Sequence, residues 1–378
     1  MSIAQKIASG FNTNGILVGA NEYAYTKKRN LIRNGDMAIA QYDDGTVTGI
    51  TTSGLYTCDG WNWRTNGDET ISMFQNGNAD LRLVSEFHEC LRFDVTTVDS
   101  SLAANVYMRI RQSMVAREVG YRIKYGQAGA KPLTLSFWIK ATKTGTNIAE
   151  LFNVDSTRYC SQAYTISATD TWEFKTVTFP GDTGGSVAPN DAGDHLQVSF
   201  WVGAGSDFSG GTLGTTWHTT AANRAVGQVN HADSTDNDFS ISGVQLELGT
   251  VATPFEFLQR GDNLHECKLF YQKSYKYSNS AGAVTQDGAI YTDRIPDSET
   301  HIGLQHKFSP QMVITPTLTL YSLNGTAGNV SDCAANHTHA SDKAVSSVDV
   351  TGTGFNQVLV SSAFDDIAAC HFKADTGF

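Results

Sequence analysis

The sequence contains few charged side chains and no long apolar run. Asp, Glu, Lys and Arg make up 17% of its 378 residues, and the formal net charge is −11. Nucleic-acid binders concentrate Lys and Arg, so this acidic balance argues against a nucleic-acid partner. No apolar stretch approaches the roughly 20 residues of a membrane-spanning helix, so no membrane insertion is expected. The N-terminus, MSIAQKIASGF, lacks the apolar core of a signal peptide, which predicts assembly in a cytoplasm without secretion.

Cysteine is also sparse and widely spaced. The six cysteines are Cys58, Cys90, Cys160, Cys267, Cys333 and Cys370. A disulfide-rich small domain would be denser, and a zinc site would show close pairs such as CxxC. We therefore expect free thiols, no metal site and no cofactor.

The sequence is rich in Gly, Thr, Ser and Asn, with strand-like alternation between turns. In LTLSFWIKA (133–141) the apolar residues fall on alternate positions, and HLQVSFWVG (195–203) does the same. No segment from residue 30 to about 249 has a strong helical period. Many half-buried strands with Gly-rich turns predict a mainly β fold, a jelly-roll β-sandwich.

The period changes in RGDNLHECKLFYQKSY (260–275). One helical stripe contains Leu264, Phe270, Tyr271 and Tyr275, and Asp262 is the expected N-cap. Strand-like segments return between 276 and 378. We therefore predict a linking α-helix over 260–275 and a second, smaller antiparallel β domain over 276–378.

The stretch SGVQLELGTVATPFEF (242–257) predicts the closing strand of the sandwich. The parity of its apolar residues switches at Ser242-Gly243, as a β-bulge would cause. Gln245 and Glu247 would then face away from the core. The stretch is interpreted as the connection between the jelly roll and the helix, not as the edge of an active site around Glu247.

Several stretches together resemble a group of bacteriophage virion proteins of the tail-fibre or carbohydrate-binding-like type. The matching stretches are NLIRNGDMAIAQ (30–41), YTCDGW (56–61), YGQAGAKPLTLSFWIKATKTGT (125–146), DTWEFKTVTFPGDTGG (170–185), GVQLELGTVATPFEF (243–257), LHECKLFYQKSY (264–275) and HFKADTGF (371–378). Their order and spacing cover nearly everything from Asn30 onward. The chain departs from the family at Gly60, at Lys268-Leu269-Phe270 and at the C-terminus.

The resemblance implies a jelly roll over 30–259, a linking helix and a terminal β domain. From the residues alone, segment 1–29 is either an arm that docks on another protein or a frayed terminus. It matches nothing in the family, and in the family such segments attach the protein to a particular particle. The resemblance also implies a homotrimer on the virion, assembled in the host cytoplasm, with other virion proteins bound through residues 1–29. The stripe of Leu264, Phe270, Tyr271 and Tyr275 would either pack back on the jelly roll or meet its copies about the three-fold axis.

Three tryptophans are the candidates for glycan binding, because sugar sites combine aromatic faces with polar groups. Trp138 and Trp201 lie on the polar side of alternating strands. Each would form a stacking platform or be covered by another segment or protomer, and coverage is the favoured interpretation. Trp217, in the loop GTTWHTT, is the better candidate for an exposed ligand contact.

Catalysis and metal binding find less support in the sequence. Glycan hydrolysis needs two paired carboxylates, and no pattern pairs the acids here; phosphate-binding loops and nucleophile elbows are absent. His337 and His339 could bind a metal on a trimer axis, but a solvated loop is the favoured interpretation. Asp236, Asp238 and Glu247 are calcium candidates by position only.

These observations predict a non-enzymatic structural protein of a bacteriophage virion. The leading interpretation is a trimeric tail fibre or appendage whose β domains bind host surface polysaccharide. One alternative is a capsid-decorating or head-fibre protein, and the second is a glycan-degrading tail enzyme.

Overall fold

A computed structural model describes residues 28–294, 300–334, 337–364 and 366–378. The predicted attachment arm, residues 1–29, therefore lies outside the described residues except for Lys28 and Arg29. The helices are α1 (Ala79–Val84), α2 (Ala116–Ile123), α3 (Ser206–Ser209) and α4 (Arg260–Lys268), with short 3₁₀ turns at Asp43–Gly45 and Ala221–Asn223. Within these ranges no helix is long and apolar enough to cross a membrane.

Eleven strands build the first domain, a jelly-roll β-sandwich. They are β1 (Thr46–Ile50), β2 (Asn62–Thr65), β3 (Thr70–Gly77), β4 (Glu89–Thr97), β5 (Tyr107–Val115), β6 (Leu133–Ala141), β7 (Gly145–Asn153), β8 (Arg158–Ile166), β9 (Glu173–Phe179), β10 (Asp194–Ala204) and β11 (Asp238–Leu248). A six-stranded sheet has the order β1-β3-β4-β11-β6-β9, and a five-stranded sheet has the order β2-β5-β10-β7-β8. The fold class predicted from the sequence is confirmed.

The core fills the space between these two sheets. Alternation places Leu133, Leu135, Phe137 and Ile139 of β6 inward, and all four are fully buried. From the facing sheet, Phe200 of β10 meets Phe137 edge-on, with ring centroids 4.9 Å apart. The alternation read from 133–141 thus fixes which side of the sheet faces the core.

The predicted bulge lies in β11. Its pairing with β6 shifts register between Ser242 and Gln245, and Gly243 has a φ of +60°. Ile241 before the shift and Val244 and Leu246 after it all point into the core. The extra residue therefore keeps the apolar face inward on both sides of the bulge.

Gln245 and Glu247 do face away from the core, but a later segment of the chain covers them completely. Glu247 accepts hydrogen bonds from the amide and hydroxyl of Thr253, at 2.8 and 2.7 Å. Its carboxylate also lies 3.6 Å from Nε of Arg29. The outward face of this part of β11 is therefore not exposed. Gln245 and Glu247 are buried there and hydrogen-bonded to the segment that follows the strand.

In its described residues, the second domain contains nine strands of 2 to 13 residues. They are β12 (Tyr271–Lys273), β13 (Ile290–Arg294), β14 (His301–Ile302), β15 (His306–Lys307), β16 (Thr317–Tyr321), β17 (Asn329–Cys333), β18 (His339–Thr351), β19 (Gly354–Val360) and β20 (Ile367–Asp375). The main order is β12-β20-β17-β18-β19-β14, with β13 and β16 also paired to β20 and β15 to β19. Phe308, Phe355 and Phe372 pack together in its core.

The linking helix is shorter than predicted. It begins after the N-cap Gln259 rather than at Asp262, and it ends at Lys268. The chain then enters β12, which pairs with β20 of the second domain. The predicted helical stripe over 260–275 therefore does not exist as one face.

This geometry corrects the predicted oligomer interface. Phe270, Tyr271 and Tyr275 are buried within the chain, and Leu264 is half-buried. The guanidinium of Arg33 lies over the ring of Phe270, and Tyr271 packs on Tyr42 with ring centroids 3.9 Å apart. Tyr275 stacks on His371, with centroids 4.0 Å apart. Of the two arrangements left open by the sequence, packing back on the jelly roll is the one observed for Phe270 and Tyr271.

Candidate functional site

The outer face of the five-stranded sheet carries an unusual set of polar and aromatic side chains. Because strand residues alternate between faces, the neighbours of the core residues point outward here. The outward side chains are Asn62, Arg64, Tyr107, Arg109, Arg111, Glu150, Phe152, Tyr159, Gln197, Ser199 and Trp201. We call this surface the polar face.

A buried ion-pair network lies at the centre of the polar face. Glu150 is fully buried and accepts hydrogen bonds from Arg224 at 2.8 and 2.7 Å and from Arg109 at 3.3 Å. Arg224 comes from the loop after β10 and stacks on the ring of Tyr159, 3.9 Å from its centroid. Burial opposes the charge of Arg224, but Glu150 outweighs burial, so the pKa of Arg224 is raised. Burial and the neighbouring Arg224 lower the pKa of Arg109 to about 10.

The structure corrects the assignment of Trp201 as a glycan-binding residue. Trp201 belongs to the polar face by parity, but it is fully buried. The loop that contains α3 covers it, and the ring of Phe208 lies 5.7 Å away. The guanidiniums of Arg109 and Arg224 lie 5.4 and 5.2 Å from its ring. Trp201 therefore lies beneath the loop that contains α3 and is not exposed to a ligand.

Arg64 and Arg111 lie toward the β2 side of the same face and are half-buried. Arg111 donates a hydrogen bond of 3.0 Å to Gln197, which in turn donates to Asp194. Burial and the neighbouring Arg64 lower the pKa of Arg111 to about 10. This part of the face therefore gathers positive charge in an acidic protein.

Several polar atoms of the polar face are buried without a hydrogen-bond partner among the described residues. They are Nε of Arg64, Arg109 and Arg111, Oδ1 of Asn62, Oγ of Ser199 and Nε1 of Trp201. A buried donor or acceptor left unpaired costs about 1–3 kcal/mol, so such groups are normally satisfied by water or a ligand. Unpaired buried atoms also occur elsewhere in the described chain, for example at Glu69, Arg92 and His231, so what distinguishes this face is its cluster of arginines.

Trp217 lies apart from these residues, in the loop beside β8. It is half-buried, its indole N–H donates to the carbonyl of Pro180 at 2.6 Å, and it meets Tyr125 edge-on at 5.1 Å. Part of its ring packs against the main core. Its interactions are structural, with only a partial surface left for a ligand.

Trp138 lies on the opposite side of the sandwich, on the outer face of the six-stranded sheet. It borders a groove of about 360 Å³, lined also by Phe87, Phe174, Phe255 and Phe257. Phe174 is 50% and Phe257 47% exposed. This groove is lined mainly by aromatic side chains, whereas the polar face is lined by charged ones. The three predicted tryptophans therefore lie at three separate places.

Sequence reasoning missed the arginines. Arg109 and Arg111 alternate in YMRIRQ, which is a strand pattern with two like charges on one face, and Arg64 lies in the short strand NWRT. Read with the same parity rule as the tryptophans, these arginines would have indicated the polar face. The partner Glu150 and the covering Arg224 come from distant segments, so their pairing could not be read from spacing.

Two of the three calcium candidates have structural partners: Asp238 lies 3.3 Å from Nε of Arg92, and Glu247 accepts hydrogen bonds from Thr253. The third, Asp236, is exposed. His339 contacts Asp342 at 2.7 Å. Among the described residues, no three His, Cys, Asp or Glu side chains group as a metal ion would require.

The sequence matches no protein-family model and no curated protein. Solved structures with a similar architecture include the enzymatically active domain of bacteriophage CBA120 tailspike protein 4, at 12% identity and a TM-score of 0.29; the match covers 54% of this chain but only 22% of that chain. A putative sugar-binding protein from Bacteroides thetaiotaomicron matches at 13% identity and a TM-score of 0.29, covering 58% of this chain and 100% of that one. TmCBM61, solved with β-1,4-galactotriose, matches at 10% identity and a TM-score of 0.28, covering 59% and 100%. At identities and TM-scores this low, the similarities assign this chain neither a ligand nor an activity.

Proposed function

We propose that this chain is a non-enzymatic structural protein of a bacteriophage virion whose jelly roll binds a glycan on the polar face. The observation that carries the glycan-binding part is the row of polar and charged side chains between half-buried aromatic rings on that face. A glycan supplies both hydroxyl groups, which pair with polar side chains, and flat apolar ring faces, which stack on aromatic ones.

The half-buried rings on this face are Tyr107, Phe152 and Tyr159, and Arg224 already covers one side of Tyr159. Phe152 and Tyr159 are stacked on each other, with centroids 4.8 Å apart and planes 15° from parallel. Tyr107 lies at the other side of the sheet, edge-on to Phe208 at 6.0 Å. Arg109 and Arg111 lie between these rings, and Gln197 and Ser199 are buried beside them. The arrangement has the aromatic borders and polar centre that a sugar chain requires.

The virion part of the proposal is supported by the sequence resemblance from Asn30 onward. In this proposal the chain forms a homotrimeric tail fibre or appendage, attached through its N-terminal segment and assembled in the host cytoplasm. The buried positions of Phe270, Tyr271 and Tyr275 remove the helix stripe as its trimer contact.

A glycan array tests the binding function on the full-length protein. Wild type is compared with Tyr107→Ala on the polar face and with Phe174→Ala in the aromatic groove, the matched aromatic control. We expect Tyr107→Ala to weaken binding about tenfold, the value of one buried aromatic contact, and Phe174→Ala to bind as wild type. Loss of signal in Phe174→Ala alone would place the ligand in the groove instead. No signal for wild type on any glycan would refute the glycan-binding function.

A further inference from the structure

The polar face has the opposite charge to the rest of the molecule. The whole chain has a formal net charge of −11. The polar face, however, presents four guanidiniums, from Arg64, Arg109, Arg111 and Arg224, against the carboxylates of Glu150 and Asp194. A local excess of positive charge in an acidic protein attracts anions to that one place.

The arginines are also placed unfavourably with respect to each other. Arg64 of β2 is directly opposite Arg109 of β5, and Arg111 follows on the same face of β5. Directly opposed like charges destabilise a sheet, so this arrangement costs free energy in the unliganded protein. An anion bound between them would remove that cost.

Only part of this charge is neutralised within the protein. Glu150 is shared between Arg109 and Arg224. In the described part of the chain, neither Arg64 nor Arg111 has a carboxylate within ion-pair distance, and Arg111 bonds instead to the neutral Gln197. Nε of both residues, and of Arg109, is buried without an acceptor. Nε of Arg92 on the opposite sheet is in the same state, so the feature particular to the polar face is its cluster of four guanidiniums with two carboxylates.

From this geometry we infer that the glycan bound on the polar face is acidic: a polysaccharide whose sugar units carry carboxylate groups, held by Arg64, Arg111 and Arg109. The inference rests on the glycan-binding function proposed above and adds the ligand's chemical class. The guanidinium fork matches a carboxylate through two parallel hydrogen bonds, which a neutral hydroxyl cannot provide. The neighbouring rings Tyr107 and Phe152 would contact the sugar rings between the acidic groups.

The test compares one polymer with and without its charge. The full-length protein is titrated with polygalacturonate and with alginate, and then with the same two polymers after chemical reduction of their carboxyl groups to alcohols. We expect the reduced polymers to bind at least about tenfold more weakly, because charge-assisted hydrogen bonds are lost. Binding of the acidic polymers should also weaken as NaCl is raised.

Variants of the chain assign this effect to the polar face. Arg64→Gln and Arg111→Gln should each weaken polyuronate binding about tenfold. Arg111→Lys, which keeps the charge but loses the fork, should retain part of the salt-dependent binding. Arg92→Gln is the matched control, since Arg92 lies on the six-stranded sheet and is paired with Asp94 and Asp238. Thermal unfolding of each variant confirms that it is folded.

These experiments distinguish failure of the acidic-ligand inference from failure of the proposed glycan-binding function. Equal binding of acidic and reduced polymers overturns the acidic-ligand inference and leaves glycan binding in place. Full affinity of both Arg→Gln variants for polyuronate overturns the inference as well. Absence of binding to both polyuronates overturns the inference, and if neutral glycans on the array are not bound either, the proposed function falls with it.

Discussion

The guanidinium of Arg33 lies 3.6 Å above the ring of Phe270, and this contact joins the jelly roll to the segment that enters the second domain. Arg33 is itself fixed by a hydrogen bond from its amide to Gln112 at 2.8 Å and from its side chain to the carbonyl of Ser113 at 3.1 Å. Phe270 therefore packs on a rigid part of the first domain. The junction belongs to the folded core of one chain.

Replacing Phe270 by Ala should therefore destabilise the chain and leave its oligomeric state unchanged. Truncation of a buried Phe costs about 3–5 kcal/mol, with the lost cation–π contact included in the effect. The free energy of unfolding in urea measures the first effect, and light scattering measures the second. Leu264→Ala, at a half-buried position of α4, is the control and should cost less. A Phe270→Ala protein of unchanged stability that dissociates would contradict the packing described here.

A second prediction concerns the bulge in β11. A Cβ at Gly243 would lie 2.4 Å from the ring of Phe87, and the backbone there has a φ of +60°. Gly243→Ala should therefore lower the free energy of unfolding by about 1–3 kcal/mol through strain and overpacking.

Two further variants separate these causes. Phe87→Ala combined with Gly243→Ala should recover the overpacking part, so the double variant should be less unstable than the two single effects added together. Gly261→Ala, in α4 with open space around it, should be neutral or slightly stabilising. If Gly243→Ala unfolds like wild type, the bulge geometry is wrong.

The bulge also shows what could be predicted from the sequence. The parity switch at Ser242-Gly243 was visible because strand residues alternate strictly, and the pairing of β11 with β6 confirms it. The burial of Gln245, Glu247 and Trp201 was not visible, because alternation identifies a face but not the segment that covers it. Residues 253–256 cover Gln245 and Glu247, and the loop after β10 covers Trp201. The positions of both covering segments depend on tertiary packing.

The end of the linking helix could not be predicted for a related reason. Leu264, Phe270 and Tyr271 have helical spacing, and nothing local stops the helix at Lys268. The competing interaction is the pairing of Tyr271 with Asp375, more than a hundred residues later. Long-range strand pairing thus overrides a local helical pattern.

A third prediction concerns the border of the proposed N-terminal attachment segment. Glu256 accepts hydrogen bonds of 2.7 Å from the backbone amides of both Arg29 and Asn30, and the side chain of Asn30 bonds to β11 at Val244 and Leu246. Deleting residues 1–27 keeps these contacts, so the melting temperature should stay unchanged; if the proposed attachment function is correct, the shortened chain should no longer be incorporated into particles.

Deleting residues 1–33 is the comparison for that border. It removes the contacts of Arg29, Asn30 and Arg33 with the sandwich, so the melting temperature should fall by several degrees. Thermal unfolding of the two truncated proteins checks both expectations. If the shorter deletion already destabilises the fold, residues before Lys28 contribute to the core.

The last prediction concerns the ion pairs of the polar face. Glu150 is fully buried and holds Arg109 and Arg224, so Glu150→Gln leaves two guanidiniums without their counter-charge. Breaking a buried pair on one side costs about 3–5 kcal/mol, because the remaining charge stays desolvated.

The Arg92–Asp94 pair is the exposed comparison. Its charged atoms are 3.3 Å apart, and the two side chains are 36% and 35% exposed. Asp94→Asn should change the free energy of unfolding by about 1 kcal/mol or less. Urea unfolding of both variants under the same conditions measures the difference. Equal effects would mean that Glu150 is not the structural anchor of the polar face, and the arginines around it would then have to be held by another group.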